Sequence, residues 1–437
     1  MTINVIGAGL AGCEASYQLA KSNVRVRLFE MKPSKLSPAH KSPDFSELVC
    51  SNSFRSDELT NACGLLKEEL RRLDSLIMGC AMETRVKAGG ALAVDRGAFS
   101  AAVTAAVKSN PLIEVVPEEV TEIPDGLTII ATGPLTSDAL AGVIGSLTGN
   151  EALHFYDAAA PLVTYESVDL GSAFFASRYL KGEGDDYINC PMDREEYDAF
   201  VDALTGAEEA PVHGFEDALV FEGCMPVEVM ARRGRDTLRY GPLKPVGLRD
   251  PRTGREPYAV VQLRRDNASG SLYNMVGFQT HLKFPEQRRV FSMIPALKNA
   301  EFARYGVMHR NSYIDSPRLL DGFYRLKARP ELFFAGQITG VEGYVESTAS
   351  GFYAGVSASR IANGLSPVAF PPETAVGALA AYISDATVPK FQPMNINFGI
   401  IAPLLHRVKG KRAKNLAVSE RSLAIIESIK KELFSGE

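Results

Sequence analysis

The chain has 437 residues, 46% hydrophobic and 23% charged, with a net charge of −5, which predicts two lobes with ample core and excludes wholesale coating by nucleic acid. No apolar run reaches the roughly eighteen residues of a membrane span, and a strand starting directly after Met1 leaves no room for a signal peptide. Six scattered cysteines without a CxxC pair predict reduced thiols and a cytoplasmic protein, and histidines without HxH or HExxH spacing predict no metal site.

Met1 to Ile6 reads as a strand, Gly7-Ala8-Gly9-Leu10-Ala11-Gly12 as a glycine turn, Cys13 to Lys21 as a helix, and Arg25 to Phe29 as a second strand closed by Glu30. Gly7 permits the tight turn, Gly9 lets the backbone approach a pyrophosphate, and Gly12 lets helix and strand pack closely. The diphosphate belongs at the helix N-terminus, and Glu30 is placed to accept ribose hydroxyls. A dinucleotide site is expected.

The polar stretch 32–44 reads as an exposed loop leading to Cys50, which sits among small polar residues unlike a core position. Residues 65–77 are amphipathic and predict one helix, with Leu66, Leu70, Leu73 and Ile77 on its apolar face. Residues 84–94 suggest a hairpin through Gly89-Gly90, 95–108 a helix, and 113–123 strand pieces. A buried strand over 127–130 ends in Ala131-Thr132-Gly133-Pro134, the kind of step where a chain meets a dinucleotide a second time.

The stretch 182–210 is acidic, whereas 231–265 holds ten Lys or Arg, among them Arg232, Arg233 and Arg235, against three acids. That excess suggests a phosphate-binding face, the alternative being a solvated surface of ion pairs. His309-Arg310 is a further candidate phosphate contact. Strands are expected over 258–263 and 272–278. A second strand-glycine step, 332–336, ends at Gly336 and Gln337 before Tyr344 and a small-residue helix over 346–363. A basic run over 407–414 and an amphipathic helix close the chain.

The expected class is α/β. A Rossmann-like FAD-binding domain of glutathione-reductase type is built from both chain ends, 1–157 and 311–437, around an α+β insertion over 158–310. Among the thiols, Cys224 lies between glycine and proline just before Arg232-Arg233, a setting that favours a nucleophilic thiolate. Cys13, Cys63 and Cys80 read as packing residues, and Cys190 stays undecided.

The segments VIGAGLAGCEA, LVCSNSFRSD, GGALAVDR, FEGCMPVEVMARRG, RYGPLKPVGL, VGFQTHL, FPEQRRVF and FFAGQITGVEGYVESTASG resemble the folate- and FAD-dependent tRNA (uracil-5-)-methyltransferase family, TrmFO, a relative of the GidA/MnmG flavoproteins. The likeness spans nearly the whole chain without departure in these segments. It implies that FAD is held by the glycine turn, Glu30, Thr132-Gly133 and Gly336-Gln337. It further implies that Cys224 adds to uracil C6 and Cys50 removes the C5 proton, although these two roles could be exchanged. The carbon would come from 5,10-methylenetetrahydrofolate through the reduced flavin, NADH or NADPH would supply electrons, and Tyr344 would stack on the pterin. The implied substrate is the T arm of tRNA, at the T-loop uridine, reached by unstacking the base; affinity should fall with salt.

Methylation of a ribosomal RNA uridine and a non-catalytic RNA-binding flavoprotein are the alternatives. A wobble-uridine enzyme of GidA type is disfavoured, because fewer than 80 residues follow Asn363. A flavin disulfide reductase is disfavoured too, since no two cysteines lie nearer than thirteen residues.

Overall fold

The structure, a computed structural model, describes residues 1–149, 153–210, 225–388 and 391–434. Strand Thr2–Ile6 lies inside a six-stranded sheet. Arg25–Phe29 and then Ile113–Val116 flank it on one side; Thr128–Ile130, Arg329–Phe334 and Arg325–Leu326 flank it on the other. All pairings are parallel except the terminal hairpin between Arg325–Leu326 and Arg329–Phe334. Ile3, Val5, Ile129, Phe333 and Phe334 are fully buried, as expected for parallel strands covered on both faces, which need apolar runs rather than alternation. The sheet thus joins strands from the two ends of the chain.

Two helices meet closely on this sheet. Helix Leu10–Lys21 lies against helix Tyr344–Ala362, and small residues make the approach possible. A Cβ at Gly351 would stand 2.2 Å from the Ala11 carbonyl oxygen, and one at Gly355 would stand 2.9 Å from Ala15 Cα. The expected single helix over 65–77 is instead two, Ala62–Arg72 and Leu76–Glu83. The break falls at Asp74, in the left-handed region at φ 59°, followed by Ser75, whose hydroxyl caps the second helix by accepting from Met78 N. Periodicity carried the reading past that capping signal.

The chain leaves and re-enters the first body through an antiparallel ribbon, Leu153–Ala158 paired with Met308–Tyr313. The expected boundaries after 157 and 310 fall within this ribbon. Between them lies a six-stranded sheet in the order Phe174–Phe175, Tyr187–Met192, Ala259–Arg265, Leu272–Met275, Leu162–Thr164 and Phe302–Arg304, antiparallel throughout. Its apolar face has its own core, built on Ile188, Val261, Leu263 and Met275 with helix residues Phe200 and Phe291.

Several arginines of the basic stretch are ion-paired, some with the acidic stretch and some with acids of their own stretch. Arg235 donates to Asp198 at 2.9 Å and to Asp202 at 2.7 Å, both on the acidic helix Arg194–Thr205. Arg232 pairs with Glu209. Arg239 pairs with Asp236 at 2.8 Å and lies over the Tyr258 ring at 3.6 Å, and Arg252 pairs with Asp250 at 2.7 Å. Arg232, Arg235, Arg239 and Arg252 thus belong to the ion-paired surface that the sequence offered as the alternative.

Candidate active site

The glycine turn forms as its sequence requires. Gly7 holds φ 97°, and a Cβ there would stand 2.8 Å from the Ala131 carbonyl. A Cβ at Gly12 would stand 1.8 Å from the Gly7 carbonyl, so this helix and strand tolerate only glycine. Above Gly9, by contrast, a Cβ would meet no protein atom within 4 Å. That open side faces the start of helix Leu10–Lys21, where first-turn N–H groups lack intrahelical partners. Glu30 is buried, accepting from Ala8 N at 2.7 Å and Lys32 N at 3.0 Å. A carboxylate has further lone pairs for ribose hydroxyls. A cavity of about 660 Å³ joins Gly7, Gly9, Glu30 and Thr132.

A second cleft, of about 1220 Å³, lies beyond it, and Leu135 lines both. Thr132 and Gly133 lead into the turn that carries Leu135. Gly336, at φ 83°, donates its N–H to Ser350 Oγ at 2.7 Å, and Gln337 and Tyr344 line the second cleft. The two cavities, joined at Leu135, run from Gly9 to Gln337 near the start of helix Tyr344–Ala362. The donor set and the open side of Gly9 fit FAD.

Cys50 stands on the wall of the second cleft, half-buried, in a segment without regular structure. Four side chains from distant parts of the chain hold this segment. The Tyr344 hydroxyl oxygen accepts from Cys50 N at 3.0 Å and Ser51 N at 3.2 Å. Arg96 donates to the Leu48 carbonyl, and Arg304 to those of Val49 and Cys50 at 3.3 and 3.4 Å. Arg264 donates to Ser51 Oγ at 2.7 Å and Asn52 Oδ1 at 3.1 Å. Burial raises the Tyr344 phenol pKa, as does charge on the Cys50 sulfur, and burial lowers Arg264 and Arg304. Behind the loop, the fully buried Lys67 donates to the carbonyls of Phe54 and Arg55 at 3.0 Å and of Ser56 at 2.6 Å.

The other thiols sort by burial. Burial pushes Cys13 up to about 12 and Cys63 and Cys80 up to about 11, and it raises Cys190, wholly buried in the insert core, as well. These four are packing residues, which settles Cys190. Cys224 lies outside the described residues, as do the side chains of His309 and Arg310; only their strand, Met308–Tyr313, is described. The chain after Cys224 is firmly tied. Val227 N donates to the Gln279 carbonyl at 2.7 Å, and Gln279 lines the cleft. The buried Glu228 accepts from Thr280 Oγ1 and His281 N, each at 2.9 Å. Burial alone would lower the His281 pKa, but the carboxylates of Glu228 and Glu209 outweigh it and raise it. Arg232, Arg233 and Arg235 follow on the helix Val227–Arg232 and just beyond, away from the cleft-lining set.

Sequence reasoning did not single out Arg96, Arg304, Arg55 or Lys67, and it counted Arg264 with the basic face although it is buried beside Cys50. Arg55 pairs with the buried Glu346 at the start of helix Tyr344–Ala362. The one available signal was a lysine, Lys67, on the apolar side of an amphipathic helix.

The model of the glucose inhibited division protein A family matches residues 2–366. A methylenetetrahydrofolate–tRNA-(uracil-5-)-methyltransferase TrmFO from Acetivibrio thermocellus is 60% identical over 426 residues, 97% of this chain and 98% of that one. The TrmFO of Heliobacterium modesticaldum is 60% identical over 428 residues, covering 98% and 97%. Among solved structures, Aquifex aeolicus GidA in its form II crystal superposes with a TM-score of 0.72 at 14% identity, covering all of this chain and 74% of that one. That likeness carries the fold, and the sequence relatives carry the narrower grouping. The chain belongs to the glucose inhibited division protein A family and, within it, to the TrmFO proteins.

Proposed function

We propose that the protein methylates C5 of a tRNA uridine, at position 54 of the T loop, taking the carbon from 5,10-methylenetetrahydrofolate and electrons from NADH or NADPH. The observation that carries this reading is the placement of Cys50 on the same cleft as Gln337 and Tyr344, next to a cradle that fits FAD. The full-length identity to TrmFO proteins supports the substrate class.

When bound, FAD would supply redox chemistry and relay the one-carbon unit. Gly7 to Gly12 and Glu30 would hold its nucleotide end, with Thr132, Gly133, Gly336 and Gln337 along its length. The thiols act on the base. Uracil C5 is a poor nucleophile until C6 is attacked. A Cys224 thiolate adding to C6 drives the C5=C6 electron pair toward O4 as an enolate, whose C5 then bonds the incoming carbon. Cys50 takes the C5 proton as the new carbon parts from its carrier, leaving an exocyclic methylene at C5. A hydride drawn from NADH or NADPH adds to that methylene, the C5=C6 bond re-forms, and the C6–S bond breaks with return of the Cys224 thiolate. Cys224 is three residues before Val227, whose N–H is bonded to Gln279 on the cleft wall. The Tyr344 ring is available to stack on the pterin, while its oxygen holds the Cys50 peptide.

Purified protein should show a flavin spectrum and, with methylenetetrahydrofolate, NADH and unmodified tRNA, should form 5-methyluridine. Cys50→Ala and Cys224→Ala should abolish product, and S-adenosylmethionine should not replace the folate. Product in ribosomal RNA and not in tRNA, assayed side by side, would move the substrate; product in neither would sink the reading.

A further inference from the structure

The insert sheet shows alternate side chains to two surroundings. On one face Ile188, Val261, Leu263, Tyr273 and Met275 join the insert core. On the other, pairing sets Asn189 opposite Gln262 and Arg264 opposite Asn274. This second face meets the Cys50 segment, because Arg264 reaches Ser51 and Asn52 from it. Three of these four polar side chains are satisfied within the protein. Gln262 Nε2 donates to Asn189 Oδ1 at 3.0 Å, Asn189 Nδ2 donates to the Ala176 carbonyl at 2.9 Å, and Arg264 has the two partners above.

Asn274 differs. It is 2% exposed and lines the cleft, yet its Nδ2 has no hydrogen-bond partner among the described residues. A buried donor left unpaired costs stability, and native proteins keep few of them. An apolar side chain of similar size would avoid that cost. The cost is recovered when a ligand brings an acceptor into the cleft.

We propose that the Asn274 amide is the contact for the lactam edge, a ring carbonyl beside a ring N–H, of a heterocycle bound against Cys50. The proposal rests on the function above, which brings three such rings, the isoalloxazine of FAD, the uracil of the RNA and the pterin of the folate, and it concerns the last two; FAD content tells the first apart. An amide offers one donor side and one acceptor side and so matches a lactam edge with two hydrogen bonds. With uracil the contact also serves the reaction. As sulfur adds at C6, the electron pair of the C5=C6 bond moves toward O4, and a donor fixed there binds the enolate more tightly than the ground-state carbonyl.

The test compares wild type with Asn274→Ala and Asn274→Asp. FAD content should stay at the wild-type level in both variants, and the melting temperature should not fall in Asn274→Ala, which removes the unpaired donor. Tetrahydrofolate affinity, by calorimetry, and covalent capture of tRNA carrying 5-fluorouridine at the target are then measured. A loss of about 10- to 100-fold in either one supports the contact, the folate arm marking the pterin and the capture arm the uracil. Asn274→Asp should be impaired at neutral pH and recover as pH falls, because only the protonated acid can donate; a packing defect would not show that recovery. Both affinities unchanged in Asn274→Ala would overturn the proposal, and so would losses that merely track lost FAD or thermal stability. A wild type that makes no 5-methyluridine would instead overturn the function, and the folate titration would still judge Asn274.

Discussion

Tyr344 ties the helix Tyr344–Ala362 to the Cys50 loop through one oxygen, which accepts from both Cys50 N and Ser51 N. Tyr344→Phe keeps the ring, which lies 5.7 Å from that of Phe54, but leaves two peptide donors without their acceptor, a cost of about 1–3 kcal/mol. The expected outcome is kcat lowered about tenfold with FAD content and folate KM unchanged, whereas Tyr344→Ala should also raise folate KM. Steady-state kinetics at saturating tRNA would check this, and equal effects of the two variants would refute the division between anchor and ring. At this scale the sequence was legible where chemistry is local. Gly7, Gly9, Gly12 and Glu30 lie within one strand-helix-strand unit, so their spacing carries the geometry. Cys50 was legible only as a cysteine out of place. The residues that hold it, Arg96, Arg264, Arg304 and Tyr344, sit far along the chain, and no periodic signal links a guanidinium to a carbonyl it meets only in the fold.

At the scale of elements, the helices are fastened to one another by buried carboxyls. Glu69, on helix Ala62–Arg72, accepts from Ala375 N at 2.7 Å and Val376 N at 2.9 Å, the first residues of helix Ala375–Ser384, and from Ser422 of the terminal helix Lys411–Phe434. Burial pushes its carboxyl up to about 7, against the pull of those donors. An unfolded glutamate ionises near its usual 4.5, so between that value and about 7 the native chain holds the extra proton and stability falls as pH rises. The melting temperature of wild type minus that of Glu69→Gln should therefore be larger near the acid end of this window than above it, which scanning calorimetry across pH would read. A difference that is flat or rises with pH would refute the raised pKa. Sequence reading placed a helix over 65–77 and one closing the chain but not Ala375–Ser384, and its error over 65–77 has a local cause. Asp74 adopts a left-handed backbone and Ser75 starts a new helix, a capping choice that apolar spacing does not record.

For the whole molecule, the proposed function makes the distribution of paired and exposed charge a test of where tRNA binds. Arg232, Arg235, Arg239 and Arg252 are engaged with carboxylates of the same insert, whereas Lys409, Lys411 and Arg412 of the terminal basic run are exposed. Arg235→Ala should leave tRNA affinity within about twofold, while replacing the three tail residues with serine should flatten the salt dependence by about one unit of slope for each charge that contacts phosphate. Filter binding across a salt series would show it, and an Arg235→Ala defect as large as that of the tail variant would refute it. The sequence by itself determined the dinucleotide cradle, the α/β class built from both chain ends, and the family, because each is written in short runs whose geometry follows from neighbouring residues. Only the tertiary structure decided that Arg232 and Arg235 of the basic stretch are paired with the acidic one, that Arg264 is buried beside Cys50, and that Asn274 lines the cleft with an amide donor unpaired among the described residues. Those facts depend on which strands lie side by side, and pairing across a sheet joins residues that no local pattern brings together.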